Sequence, residues 1–141
     1  MIRRPIIFPY NNDKESHCPN DGCPRILLID DDEFNILALK MMLRTFNLEV
    51  DWSLDSQQAI EMVVESMNRP CSCRYELILS DCNMPTLDGY ETCKQLRKLI
   101  AEKKINDLNI IAVTADATQY NRKKCFQFGF DDVVIKPLPH D

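Results

Sequence analysis

The sequence predicts an α/β domain in which a five-stranded parallel sheet is doubly wound, with helices on both of its faces. Three observations lead there. Short apolar runs alternate five times with stretches of helical periodicity. The connections between them are short, as expected of strands linked through crossover helices. Four of the runs also end abruptly on polar residues, namely Asp30 and Asp31, Asp81, Thr114, and Lys136.

Residues 1–24 are punctuated by Pro5, Pro9, Pro19, Gly22 and Pro24 and read as an irregular extension or linker. The domain itself is expected over residues 25–141. Residues 25–29 open it with a continuous apolar run, as a strand buried on both faces would. Residues 34–46 follow as a helix, with Ile36, Leu39, Leu43 and Phe46 on one face and Leu37 and Met41 widening the stripe. Residues 48–53 form a short strand candidate. Asp55 or Ser56 caps a helix through about Ser66, with Ala59, Ile60, Val63 and Val64 facing inward. After a loop at 68–73, residues 77–80 read as a central strand ending on Asp81. Asp88 caps a helix carrying Tyr90, Cys93, Leu96 and Ile100. Residues 109–113 are another buried strand, ending on Thr114. Residues 118–128 are helical and Gly129 stops them. Residues 133–135 form the last strand, which ends on Lys136-Pro137.

At 141 residues, 45% hydrophobic and 28% charged, the chain has material for one ordinary globular core. A net charge of -5 speaks against a general nucleic-acid binder, which carries a basic excess. No apolar run approaches the ~18 residues of a membrane span. Ile6, Ile7 and Phe8 before Pro9 are also too short a stretch for a secretory leader. The expectation is a cytoplasmic segment with no direct contact with nucleic acid or membrane, which leaves open a membrane-anchored parent protein. Seven cysteines without a leader do not form a complete disulfide framework.

In a parallel sheet the polar strand ends gather at one edge, where such folds place their ligand sites. Asp30, Asp31 and Asp81 crowded together would repel one another and need a cation. Hard oxygen donors with room for water suit Mg²⁺. Lys136 would add a compact positive charge for a phosphoryl oxygen, and the Thr114 hydroxyl could donate to another. A carboxylate is already ionised at neutral pH and attacks phosphorus without a general base. Taken singly, each polar residue could merely cap a helix or end a strand, as expected of Asp32 and Asp88. Five at one edge make a site.

The residues that carry this site resemble a known pattern. Ile29-Asp30-Asp31-Asp32, Ser80-Asp81-Cys82-Asn83-Met84-Pro85 with Asp88-Gly89, Val113-Thr114-Ala115 and Lys136-Pro137 resemble the signature of response-regulator receiver domains. The resemblance runs from about Arg25 to Leu138 and implies a flavodoxin-like sheet in the order 2-1-3-4-5. It implies that Asp81 accepts a phosphoryl group from a histidine kinase or a histidine phosphotransfer protein. By the same resemblance Asp31, Asp81 and the backbone carbonyl of Asn83 ligate Mg²⁺ directly, and Asp30 acts through water. Thr114 and Lys136 hold the phosphoryl group with help from the amide of Ala115, and Pro85 and Gly89 shape the loop after Asp81. The resemblance further implies a switch in which the Thr114 hydroxyl moves toward the phosphoryl group and the last two strands repack. Asn83 and Asp116 occupy the positions that set the dephosphorylation rate.

Two features depart from the pattern. Val133 stands where many receivers carry an aromatic ring, and its own reading is a buried strand residue. The chain also ends shortly after Lys136-Pro137-Leu138, where receivers continue into a fifth helix. A truncated segment, a helix supplied by a partner and a marginally stable domain would each account for this. A piece of a longer parent, such as a hybrid histidine kinase or a multi-domain relay protein, is the expectation.

The cysteines suggest a second site. Cys18 and Cys23 precede the first strand, and Cys71 and Cys73 precede the third. Neighbouring strands would bring both pairs to the end of the sheet opposite Asp81, where four thiolates could hold a structural Zn²⁺. Free thiols or an adventitious disulfide are the plainer alternatives. Cys82, Cys93 and Cys125 read as small packing residues.

Other functions remain open on the sequence. A Mg²⁺-dependent phosphohydrolase with an aspartate nucleophile would use a related sheet. Such enzymes often carry a second aspartate two positions on, where this chain has Asn83. A pseudo-receiver would bind partners without phosphorylation, against which the complete acidic set and Lys136 speak.

Overall fold

A computed structural model describes residues 22–82 and 89–136. The elements run β1 (Ile26–Ile29), α1 (Glu33–Arg44), β2 (Asp51–Ser53), α2 (Ser56–Ser66), β3 (Leu77–Asp81), α3 (Gly89–Ala101), β4 (Asn109–Thr114), α4 (Gln119–Phe128) and β5 (Asp132–Ile135). All four strand pairings are parallel, and the sheet order is β2-β1-β3-β4-β5. Reversal of strand order on either side of β1 and β3 opens a crevice at their carboxyl ends, where such sheets bind ligands.

The apolar content of the central strands follows from helices on both faces. Every residue of β1 and β4 is buried. Alternate side chains divide between two cores, as the two-residue period of a strand demands. Leu27, Ile29, Ile78, Ile110 and Ala112 join the larger core with Ala59, Ile60 and Val63 of α2, Cys93 and Leu96 of α3, and Cys125 of α4. Ile26, Leu28, Leu77 and Ile111 form the smaller core under Ile36 and Leu39 of α1.

Local chemistry sets the element ends. Asp32, Asp55 and Thr118 cap α1, α2 and α4, each side chain accepting from an amide of the first turn. Gly129 ends α4 in the left-handed region at φ 107°. The cap expected at Asp88 lies outside the described residues.

Three details differ from the pattern read in the sequence. Phe34, Leu37, Met41 and Phe46 are exposed, so the buried stripe of α1 narrows to Ile36 and Leu39 with Leu43 partly buried. Leu37 and Met41 are rotated from Ile36 by about 100° and 140° at 3.6 residues per turn, too far to reach the sheet. Val64 of α2 is likewise exposed. The second strand begins at Asp51 instead of residue 48 because Asn47, with φ 61°, turns the chain out of α1. Leu48 and Val50 then cross back to the sheet and pack in the smaller core.

Candidate functional site

The carboxyl ends of β1 and β3 carry the acidic residues. Carboxylate oxygens of Asp30, Asp31 and Asp81 all lie within 4.8 Å of one another. Their exposures differ: Asp30 is buried, Asp81 is half-buried and Asp31 faces solvent. Asp30 is fastened from both sides. One oxygen accepts from the amide of Asp32 at 2.9 Å, and the other meets the Lys136 ammonium at 2.9 Å. The Asp30 amide donates to the Ser53 carbonyl at 3.2 Å, which ties the turn to β2.

Lys136 approaches from the far side of the crevice. Its amide donates to the Thr114 carbonyl at 2.7 Å, so β4 holds the backbone that carries the ammonium. The side chain then spans to Asp30 and stands 3.7 Å from an Asp81 oxygen. A single cation thus bridges the ends of β1 and β3. Thr114 is fully buried, and its hydroxyl oxygen accepts from the Asp116 amide at 3.1 Å. Asp116 in turn accepts from the Thr118 amide at 3.0 Å, and this hydrogen bond holds its carboxyl below the usual carboxylate range.

The start of α3 is pressed against the end of β3. The Gly89 amide donates to the Cys82 carbonyl at 2.8 Å. A Cβ at Gly89 would stand 2.7 Å from the Cys82 Cα and closer still to the Asp81 carbonyl oxygen. No side chain fits there.

Beneath this corner lies a packed set of side chains with no obvious pattern in the sequence. Cys82 Sγ is 3.5 Å from Cys125 Sγ, and the Tyr90 hydroxyl donates to Asn121 of α4. Tyr90 also packs on Phe128 and Phe130, with ring centroids 5.4 and 6.5 Å away. Burial pushes the Cys82 thiol and the Tyr90 hydroxyl well above their ordinary pKa values, so both stay protonated and neutral. Burial likewise pushes the Cys93 thiol up to about 12. Cys82, Cys93 and Cys125 are all buried packing groups, as expected of them from sequence. Val133 is buried beside them on β5, paired with Ala112.

Of the residues singled out in the sequence, Asp30, Asp31, Asp81, Thr114 and Lys136 come together at one edge. Asn83 and Pro85 lie outside the described residues. Cys23, Cys71 and Cys73 gather at the opposite end of the sheet, within 4.8 Å of one another, while Cys18 lies outside the described residues. Arg97 and Asp131 were not singled out, yet they join α3 to the α4–β5 corner through a 2.7 Å ion pair. The only sequence signal for them is an acidic residue two positions after a helix-stopping glycine.

The donor set suits a hard divalent cation. Three carboxylates converge with one partly exposed side, and no sulfur or imidazole stands among them. Residues Asp31 and Asp81 offer direct oxygens, and Asp30 is already engaged by Lys136.

The comparisons agree with this geometry. The family model of the response regulator receiver domain matches residues 26–141. Hybrid signal transduction histidine kinase E of Dictyostelium discoideum is 35% identical over 113 residues, covering 79% of this chain and 6% of that protein. Among solved structures, the receiver domain of the Pseudomonas aeruginosa sensor histidine kinase PA1611, with a magnesium ion in its active-site cleft, superposes at TM-score 0.66. It is 32% identical and covers 83% of this chain and 88% of that one. The receiver of Saccharomyces cerevisiae Ssk1, bound to the histidine phosphotransfer protein Ypd1, superposes at TM-score 0.71 with 24% identity, covering 82% and 80%. The chain spans between 5% and 42% of the length of eight curated relatives it matches. Strand order, acidic edge and family match converge on one identification: this chain belongs to the response-regulator receiver domains of two-component phosphorelay proteins.

Proposed function

We propose that Asp81 is the phosphoryl acceptor of this receiver and that its donor is a phosphohistidine on a histidine kinase or phosphotransfer protein. The observation that carries the reading is that Asp81 stands 3.7 Å from the Lys136 ammonium and clusters with the carboxylates of Asp30 and Asp31. An Asp81 oxygen forms the new bond to phosphorus as the phosphorus–nitrogen bond breaks and the imidazole leaves. Lys136 neutralises charge on the phosphoryl oxygens, and the buried crevice keeps that charge interaction strong. Mg²⁺, held by Asp31, Asp81 and the Asn83 carbonyl with Asp30 through water, would neutralise the remaining phosphoryl charge. The Thr114 hydroxyl, which accepts from the Asp116 amide before transfer, reorients to donate to a phosphoryl oxygen. That movement shifts β4, α4 and β5 together, with Val133 following as a packed strand residue instead of a rotating ring.

The same reading takes residues 25–141 as the receiver, residues 1–24 as an extension, and further domains of a longer parent as neighbours. It assigns the chain no separate metabolite: phosphorylation and hydrolysis at Asp81 are its chemistry. A phosphotransfer partner is supported by the Ssk1 receiver, which was captured with Ypd1. Among the described residues no helix is long and apolar enough to cross a membrane.

The test is incubation with Mg²⁺ and acetyl phosphate followed by intact-mass analysis. One phosphoryl adduct, absent in Asp81→Asn, is expected. Steady turnover of many phosphate esters would show a phosphohydrolase instead.

A further inference from the structure

At the end of the sheet opposite Asp81, three thiols converge from two separate segments. Cys23 stands just before β1, and Cys71 and Cys73 lie in the loop before β3. Parallel pairing of Ile26 with Leu77 sets those two segments side by side. One sulfur from each cysteine lies within 4.8 Å of the other two, and Cys23 Sγ is 3.7 Å from Cys71 Sγ. Thiolates bound tetrahedrally to zinc at about 2.3 Å stand about 3.8 Å from one another. The Cys23–Cys71 separation is already that of a metal-bound pair.

The surroundings are built for a charged sulfur cluster. Cys71 and Cys73 are 2% and 0% exposed, which excludes water in the manner of a structural site. An Arg25 guanidinium nitrogen donates to Cys73 Sγ at 3.6 Å. Arg74 donates to the carbonyls of Cys71 and Cys73 at 2.7 and 2.8 Å. Arg69 reaches the carbonyls of Pro24 and Cys73. Thus the backbones of Cys71, Cys73 and Pro24, the residue next to Cys23, are held by cationic hydrogen-bond donors, as outer partners orient metal ligands. Gly22 turns the chain over this cluster at φ 83°, with its missing Cβ direction 3.9 Å from Cys73 Sγ.

We propose that Cys23, Cys71 and Cys73 form the thiolate core of a structural zinc site that ties the segment entering β1 to the loop before β3. Cys82, Cys93 and Cys125 show the contrast, since they are buried in the larger core against α3 and α4 as packing groups. The zinc site is independent of phosphorylation at Asp81.

The experiment is metal analysis of the whole chain, purified under reducing conditions without chelator, by elemental and native mass spectrometry. One zinc per chain is expected in the wild type and in Cys93→Ala. Cys71→Ser and Cys73→Ser should lose it. Because a serine variant could fail to fold, the wild type is also stripped and refilled with cobalt, which reports tetrahedral thiolate coordination through its visible ligand-field bands. Beryllofluoride binding at the Asp81 edge in the same samples shows that the fold persists. Folded protein that takes up neither zinc nor cobalt, with its three clustered thiols freely alkylated, would overturn the proposal.

Discussion

Replacement of Gly89 by alanine reports directly on how α3 is set against the end of β3 that carries Asp81. The added Cβ would stand 2.7 Å from the Cys82 Cα and 2.9 Å from the Asp81 carbonyl carbon, with the carbonyl oxygen nearer still. Carbon atoms pack at about 3.5 Å or more, so backbone must move by at least about 0.8 Å. None of these neighbours is the far end of a flexible side chain. In an ordinary helix, glycine to alanine stabilises by about 0.5–1 kcal/mol. Here overpacking should reverse the sign and cost about 1–3 kcal/mol. The atoms displaced belong to Asp81, and a misplacement of about 1 Å at a reacting group can cost ~100-fold in rate. Urea denaturation and the rate of phosphorylation by acetyl phosphate measure the two effects. A Gly89→Ala protein as stable as wild type and phosphorylated at the same rate would refute the packing argument.

Three further outcomes follow from the same geometry. Lys136→Met removes the cation bridging Asp30 and Asp81 and should slow phosphorylation by about 100-fold or more, as loss of a preorganised charge does; a near-normal acetyl phosphate rate would contradict its role. Arg97→Met strips three carbonyl and carboxylate partners at Gly129, Leu108 and Asp131, and should cost about 2–4 kcal/mol in urea denaturation, since the half-buried Asp131 carboxylate loses its cation. Cys93 has its thiol pKa raised from 9.0 to about 12 by burial. The folded state therefore keeps a proton that the unfolded chain releases, so stability present below pH 9 is lost between about pH 9 and 12. The slope for one such thiol is at most about 1.4 kcal/mol per pH unit. Cys93→Ala should flatten that alkaline loss, and an unchanged slope in denaturation from pH 9 to 11 would count against it.

Much of the fold was legible because strand burial and helix caps are local signals. Continuous apolar runs at β1 and β4 require helices on both faces, and Asp32, Asp55, Thr118 and Gly129 act through neighbours a few residues away. The acidic edge was legible for a different reason: parallel topology forces strand ends together, so Asp30, Asp81 and Lys136 meet although far apart in the chain. What could not be read depends on tertiary shape. Phe34, Leu37 and Met41 look like core residues by composition, but helix rotation turns them outward. The Tyr90–Asn121 bond joins α3 to α4 and the Arg97–Asp131 pair joins α3 to the α4–β5 corner, and no local pattern encodes either placement. The approach of Gly89 to the Asp81 carbonyl shows in sequence only as a glycine eight positions after Asp81.

The most direct test of the central claim is phosphotransfer itself. A histidine phosphotransfer protein carrying radiolabelled phosphohistidine is mixed with the chain and Mg²⁺, and the labelled peptide is mapped. Label confined to the peptide containing Asp81, and absent from Asp81→Asn, is the predicted result. Label that persists in Asp81→Asn, or that maps to another residue, would contradict the account.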